Sequence, residues 1–120
     1  MSVEQLERSL AGTDEIEVTV TGRVSGEPVT RTVWFAQEGD RLYLLPVRGS
    51  DSDWFKNVRK TPMIRISAAG GEARMHVRPI LDTSRVRDVV EKFRAKYGAD
   101  QVRKYYSKLD VAVEVPLRTI

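Results

Sequence analysis

The sequence of 120 residues contains no cysteine and a single histidine, His76. The lack of cysteine excludes disulfides, thiolate metal sites and cysteine nucleophiles. One histidine cannot build a two-histidine metal motif, and no Ser-His-Asp arrangement stands out around it. We therefore assign no catalytic residue and no metal site, and we interpret His76 as a side chain on a strand face among arginines.

The sequence also lacks long apolar runs. No segment approaches the roughly 20 apolar residues that span a bilayer. The first five residues do not show the basic start and apolar core of a secretory signal. We therefore expect a cytoplasmic protein without a membrane partner. With 41% hydrophobic and 31% charged residues, the composition is that of a globular chain, and we expect residues 1–120 to form a single domain.

The net charge of +3 is spread unevenly along the chain. Residues 1–40 carry three basic and eight acidic side chains, whereas residues 41–81 and 85–108 each carry eight basic and three acidic ones. Arginine outnumbers lysine 14 to 6. Because guanidinium groups bind phosphate and carboxylate bidentately, this pattern indicates a basic face for an anionic ligand, with a solvated charged surface as the alternative. Nucleic acid is not expected as a partner, because no aromatic stacking platform accompanies the arginines.

Alternating apolar and polar residues predict six β-strands. The predicted strands cover residues 16–21, 29–36, 41–45, 64–68, 73–78 and 111–115. The third is apolar on both faces, which places it centrally, and Pro79 places the end of the fifth at an edge. Gly70-Gly71 predicts a two-residue hairpin turn. Short connections favour an antiparallel sheet, which closure into a barrel would protect at its edges.

Helical periodicity predicts the remaining elements. Ser2 and Gln5 form a capping box for a short helix that ends at Gly12. A second helix follows near Trp54, with Ser50 and Asp53 as candidate caps. From Asp82 the apolar period changes to 3.6 residues, and Gly98 is predicted to cap that helix before a last helix begins at Asp100.

Residues 16–68 resemble the flavin-binding split-barrel superfamily, in particular its deazaflavin-dependent nitroreductases. The resemblance rests on four segments in a fixed order, Thr21-Gly22-Arg23-Val24-Ser25-Gly26-Glu27-Pro28, Glu38-Gly39-Asp40-Arg41, Arg48-Gly49-Ser50 and Asp53-Trp54-Phe55-Lys56-Asn57-Val58 followed by Pro62. The C-terminal part, with Phe93-Arg94-Ala95-Lys96-Tyr97-Gly98 and the final valine strand, is similar to a small uncharacterised bacterial group on the same fold.

The resemblance implies an α+β fold, a six-stranded antiparallel split β-barrel with short flanking helices. It implies FMN or a deazaflavin as cofactor, no metal, a homodimer, and an oxidoreductase acting on nitro or quinone-like substrates. The implied cofactor-binding residues are Arg23, Arg31, Arg48, Gly49, Ser50 and Trp54. The implied substrate-pocket residues are Trp34, Tyr105 and Tyr106, for which core packing is the alternative.

Two positions depart from the nitroreductase pattern. Val24 stands where these enzymes carry a lysine, and Val29 stands where they carry an arginine. We expect Arg31, which shares a strand face with Val29, to compensate for the missing charge. The alternative function is a non-enzymatic module on the same fold that binds a small anionic ligand or a protein partner.

Overall fold

The computed structural model describes residues 3–68 and 71–117, and these residues form four α-helices and eight β-strands. The helices are α1 (Val3–Ala11), α2 (Asp53–Lys60), α3 (Thr83–Tyr97) and α4 (Ala99–Tyr105), and a 3-10 helix (Gly49–Asp51) precedes α2. The strands are β1 (Glu15–Thr21), β2 (Pro28–Trp34), β3 (Ala36–Glu38), β4 (Arg41–Leu44), β5 (Met63–Ala68), β6 (Gly71–His76), β7 (Arg78–Ile80) and β8 (Ala112–Pro116). None of the described helices is long and apolar enough to cross a membrane.

The strands form two antiparallel sheets of four strands each. Sheet 1 has the order β2-β1-β5-β6, and sheet 2 has the order β3-β4-β8-β7. The chain passes from sheet 1 to sheet 2 twice, once between β2 and β3 and once between β6 and β7. Strands that change sheets in this way make the corners of a folded-over β-structure.

The prediction of six strands is therefore corrected to eight, because two predicted strands are each divided at a corner. The first division is at Phe35, whose N–H donates to the Tyr97 hydroxyl at 3.0 Å and whose carbonyl accepts from Lys96 Nζ at 3.0 Å. The second is at Val77, whose N–H donates to the carbonyl of Pro62 at 3.0 Å. At Phe35 the backbone bonds to side chains of α3 and not to a neighbouring strand, whereas the Val77 bond extends the β5–β6 pairing by one residue before the chain crosses to sheet 2.

The inner core lies between the two sheets. Sheet 1 contributes side chains such as Val18 and Ile66, and sheet 2 contributes Leu42, Val113 and Val115. Helix α1 packs against β5 and β6 and adds two leucines to this core. Alternation along each strand thus places every second side chain in the core, as the sequence pattern predicts.

The outer core lies between sheet 2 and the C-terminal helices. Tyr43 of β4 and Leu45, which directly follows this strand, pack with Val89 and Phe93 of α3 and with Val102 of α4. The prediction that residues 41–45 are apolar on both faces because the strand is central is confirmed, since β4 lies inside sheet 2 with a core on either side.

The predictions of where the helices begin and end are confirmed in part. Helix α1 ends at Ala11, directly before Gly12, and Gly98 follows α3 with a φ of 96° that side chains rarely adopt. The capping residue of α2 is Ser52 rather than Ser50 or Asp53, and its side chain makes no capping hydrogen bond. The predicted cap Ser2 lies outside the described residues.

The hairpin predicted from the two glycines joins β5 to β6, as expected. Ala68 pairs with Gly71, so Gly71 belongs to β6 and is not a turn residue as predicted. Gly70 lies outside the described residues.

Candidate functional site

Most of the residues predicted to bind a cofactor surround the N-terminal end of α2. Arg48, Gly49 and Ser50 lie in the loop and 3-10 helix directly before α2, and Trp54 lies in its first turn. Arg23, in the turn between β1 and β2, hydrogen bonds to this helix. The sequence prediction therefore named residues that the fold brings to one region.

Arg23 holds its own turn against α2. Its guanidinium donates to Asn57 Oδ1 at 2.9 Å and to the carbonyl of Asp53 at 3.3 Å, and it forms an ion pair with the Asp53 carboxylate at 3.3 Å. The backbone N–H of Arg23 also donates to Asn57 Oδ1 at 3.0 Å, and Lys60 Nζ donates to its carbonyl at 2.8 Å. Most of the hydrogen-bonding capacity of Arg23 is thus committed to the fold.

Gly49 and Ser50 are docked on the segment before β8. The backbone N–H of Ser50 donates to Asp110 Oδ1 at 2.9 Å, and its hydroxyl donates to Asp110 Oδ2 at 2.5 Å. Burial favours the neutral acid, but these hydrogen bonds outweigh it and lower the pKa of Asp110. A Cβ at Gly49 would lie 2.1 Å from Asp110 Oδ1 and 2.8 Å from the carbonyl of Lys108. Gly49 therefore permits a close contact within the chain and does not leave its backbone open.

Arg31 and Trp54 meet at a shallow apolar cleft. Arg31 pairs across the sheet with Val18, so it lies on the inward-facing row of β2, although β2 is an edge strand and Arg31 is exposed. The cleft is lined by these residues together with Val20 and Val33. Trp54 is half-buried against the inner core, as the packing alternative expected, and its remaining surface faces this cleft.

Arg31 and Arg48 are the predicted cofactor-binding cations that remain most available. Arg31 donates to the carbonyl of its neighbour Thr30 at 2.9 Å, and Arg48 donates to the carbonyl of Asp51 at 3.5 Å. Both side chains are exposed. The loop at Arg48 is nevertheless fixed, because its backbone N–H donates to the buried Ser52 hydroxyl at 2.9 Å.

The predicted substrate-pocket residues form one aromatic cluster. Trp34 stacks on Tyr97 with ring centroids 4.2 Å apart, meets Tyr105 edge-on at 5.4 Å and lies 6.0 Å from Tyr106. Burial raises the pKa of Tyr97 to about 12 and raises the pKa of Tyr106 as well. Tyr106 is buried in the outer core, whereas Tyr105 is 49% exposed. The core alternative therefore describes Tyr106, and Tyr105 forms the accessible edge of the cluster.

Sequence reasoning missed three residues that organise the molecule. Tyr97 and Lys96 bind the backbone of Phe35 at the first corner, and the sequence pattern assigned this role to neither of them. Glu114 is buried in the outer face of β8 and faces three arginines. The sequence feature that could have predicted the role of Glu114 is its position as a single acidic residue between Val113 and Val115 in an otherwise apolar strand.

The family of this chain is shown by its sequence. Residues 6–115 match a family described as an uncharacterised protein conserved in bacteria, DUF2255. The chain belongs to the DUF2255 family. No curated protein matches it in sequence.

Solved structures similar to this DUF2255 protein share its fold at low identity. A candidate 5-nitroimidazole antibiotic resistance protein from Bacteroides thetaiotaomicron is 20% identical, with a TM-score of 0.71 over 94% of this chain and 78% of that one. An F420-H2 dependent reductase is 16% identical, with a TM-score of 0.65 over 85% and 93%. A heme storage protein from Vibrio cholerae is 10% identical, with a TM-score of 0.72 over 100% and 93%. The split-barrel resemblance read from the sequence is thereby confirmed at the level of the fold.

Among the described residues there is no group of three or more histidine, aspartate or glutamate side chains placed to hold a metal ion. His76, at the end of β6, is exposed.

Proposed function

We propose that this DUF2255 protein binds FMN or a deazaflavin at the cleft beside α2. The observation that carries the proposal is the position of Arg31, an exposed cation on the inward-facing row of an edge strand, next to the half-buried ring of Trp54. An aromatic wall with a cation at its rim suits an aromatic ring system that carries phosphate, and the ring would lie over the cleft rather than inside it, because the cleft encloses only about 170 Å³. The likeness to an F420-H2 dependent reductase and to a candidate nitroimidazole resistance protein supports this choice.

The residues fit such a cofactor in part. Arg31 and Arg48 can contact phosphate or acidic groups, since their guanidinium groups are exposed and bond only to backbone carbonyls in the described structure. Arg23 and Ser50 already bind protein groups, so they contribute through the positive potential and through the shape of the loop. We therefore expect Arg31 and Arg48 to supply most of the affinity for the anionic part.

A bound flavin or deazaflavin supplies hydride or electron transfer itself. The chain then has to orient the ring and shield it from water. Trp54 can pack against the ring, and Trp34 with the exposed Tyr105 offers an aromatic surface for nitro or quinone-like substrates. We include in the proposal a homodimer in which the second copy covers the open edge of β2, because the cleft is too shallow to enclose a ring system alone.

A second function is favoured by the contacts of Arg23 and Ser50. Because these side chains are used to fix their loops, the site can also be that of a non-enzymatic module for a small anionic ligand. Such a module needs Arg31 and Arg48 but does not need the ring-stacking surface of Trp54.

Titration of FMN and of a deazaflavin, followed by fluorescence, tests the proposal. We expect Arg31→Gln and Arg48→Gln each to weaken binding by about ten-fold, as the loss of one charge-assisted hydrogen bond implies. Arg59→Gln, in the last turn of α2, removes the same charge from an exposed position and serves as the control. Trp54→Leu should weaken FMN binding but leave binding of inorganic phosphate unchanged.

Each outcome decides between the two functions. Loss of FMN binding in all the cleft variants but not in Arg59→Gln supports the cofactor site. Binding of a small anion that depends on Arg31 and Arg48, without binding of either flavin, supports the non-enzymatic module. If Arg31→Gln and Arg48→Gln both leave the affinity for flavin unchanged, the proposed location of the cofactor site is wrong.

Val24 and Val29 are not equally suited to restoring the nitroreductase pattern. Val24 is 93% exposed in the turn between β1 and β2, so a lysine can replace it without loss of packing. Val29 is partly buried against the inner core, so an arginine there loses apolar contact. Val24→Lys therefore tests the added charge without disturbing the core, and we expect it to increase the affinity for a deazaflavin phosphate.

A further inference from the structure

Two arginines lie directly opposite each other on the outward face of sheet 1. Arg65 of β5 and Arg74 of β6 are cross-strand partners in an antiparallel pair, where opposed Cβ atoms lie about 4.5–5.5 Å apart. Both alternate with buried residues, so both point away from the inner core. Like charges in this arrangement destabilise a sheet. The fold therefore maintains an unfavourable charge pair that packing does not require.

The neighbouring acidic group does not fully neutralise this pair. Glu72, two residues before Arg74, lies 3.6 Å from Arg65 Nε, beyond good hydrogen-bond distance. That Nε atom is shielded from solvent and, within the described part of the chain, has no hydrogen-bond partner. A shielded donor without an acceptor is costly. Solvent does not reach Nε itself, but the Arg65 side chain is 42% exposed, so its guanidinium group can still bind an anion.

The two arginines line a groove with hydroxyl groups. The groove has a volume of about 360 Å³, within the range of small-molecule sites. Its described lining contains no acidic side chain, and the residues other than the arginines are Thr19, Val20, Thr21, Gly26, Pro28, Thr61, Met63 and Ile64. Two cations and three threonines can donate to an anion, while the proline and methionine offer apolar contact to the rest of a molecule.

We propose that this groove, the Arg65–Arg74 groove, binds the phosphate group of a small phosphorylated molecule. The two guanidinium groups donate hydrogen bonds to the phosphate oxygens, and the threonine hydroxyls donate further ones. The groove opens on the face of sheet 1 opposite the α2 cleft, because Thr19 and Thr21 face outward from β1 whereas Val18 faces inward into the cleft; Val20 lines both. The inference therefore does not depend on the proposed cofactor function.

The test uses the full chain with inorganic phosphate and with glycerol phosphate as probes. Both are titrated at constant ionic strength while backbone amide shifts are followed by NMR. We expect saturable shifts at Thr19, Thr61 and Arg74, and a dissociation constant raised about ten-fold or more in Arg74→Gln. Arg87→Gln, on α3, removes an equal charge from the other side of the fold and should change nothing.

A stability measurement adds an independent readout. In phosphate-free buffer, Arg74→Gln should melt at a slightly higher temperature than the wild type, because it relieves the repulsion from Arg65. Phosphate should raise the melting temperature of the wild type but not that of the variant. Arg31→Gln should keep the phosphate response, which separates this groove from the cofactor cleft.

Three results would overturn the proposal. One is the absence of saturable shifts with both probes up to high millimolar phosphate. Another is a response that Arg87→Gln lowers as much as Arg74→Gln does, since it would reflect net charge alone. The third is a dimer that Arg74→Gln dissociates while phosphate binding is absent, because the groove would then be an interface between two copies. Tighter binding of glycerol phosphate than of inorganic phosphate would support a phosphorylated metabolite over free phosphate as ligand.

Discussion

Replacing Glu114 by glutamine should lower the free energy of unfolding by about 1.5–3 kcal/mol, the value of a hydrogen bond to a charged group. The Glu114 side chain is only 2% exposed on the outer face of β8. Arg85 Nη2 donates to its Oε2 atom at 2.8 Å, and Arg41 and Arg78 lie at 3.6 and 3.7 Å from the carboxylate. Glutamine keeps the shape of the side chain and removes its charge, so the variant isolates the electrostatic part.

The expected loss of stability in Glu114→Gln depends on how exposed the three arginines are. Removing one partner of a fully buried ion pair costs about 3–5 kcal/mol, because an uncompensated charge stays in the interior. Here the charges left behind are on Arg41, Arg78 and Arg85, whose side chains are 52%, 69% and 52% exposed. These guanidinium groups can be hydrated, which places the loss below that range. Glu114→Ala should cost more, since it also leaves a cavity.

Urea unfolding followed by circular dichroism measures the effect. Glu91→Gln is the matched control, because Glu91 is 60% exposed and pairs with Arg94 on the surface of α3, where an ion pair is worth about 0–1 kcal/mol. A double-mutant cycle with Arg85→Gln gives the coupling of the hydrogen-bonded pair. If Glu114→Gln is no more destabilising than Glu91→Gln, the carboxylate is not a structural anchor and the reasoning fails.

Two further changes test local features of the fold. Gly98→Ala should lower stability by about 1–3 kcal/mol, because Gly98 has φ 96° and ψ 141° and its Cβ position is otherwise open, so only backbone strain is added; an unchanged urea midpoint would contradict this. The lowered pKa of Asp110 means that its contact with Ser50 stabilises the protein above the unfolded-state pKa of about 3.9 and is lost as the pH falls through the folded-state pKa. In Asp110→Asn the free energy of unfolding should therefore fall less steeply as the pH is lowered than it does in the wild type. The same pH dependence in both proteins would refute the role of this contact.

The strands could be predicted from the sequence, but the corners could not. Val29, Arg31 and Val33 alternate with outward residues, and the same alternation continues through Phe35 into sheet 2. A period-two pattern therefore shows no break where the chain changes sheets. The break depends on the hydroxyl of Tyr97, which lies 62 residues further along the chain. Such a contact is a tertiary one, and local periodicity carries no information about it.

The sequence predicted which residues lie at the candidate site, but it did not predict which groups those residues bind. The family resemblance assigned Arg23, Arg48 and Ser50 to one cofactor site, and in the structure all three lie around the N-terminal end of α2. The resemblance gave no sign that Ser50 is bound by Asp110, since the two residues are 60 positions apart. The same holds for Arg23, which Asn57 holds through both its backbone and its side chain. Which polar groups remain available for a ligand depends on these distant partners.

The alternation of β1 makes the two proposed sites separable by experiment. Val18 lines the cleft that holds Arg31, Thr19 and Thr21 line the outward groove, and Val20 lines both. A substitution of a threonine hydroxyl therefore changes only the groove, and a substitution of Arg31 or Val33 on β2 changes only the cleft. If one ligand occupied both surfaces, variants on opposite faces of this strand would show the same loss of affinity. Independent losses would instead mean that one strand separates two anion sites.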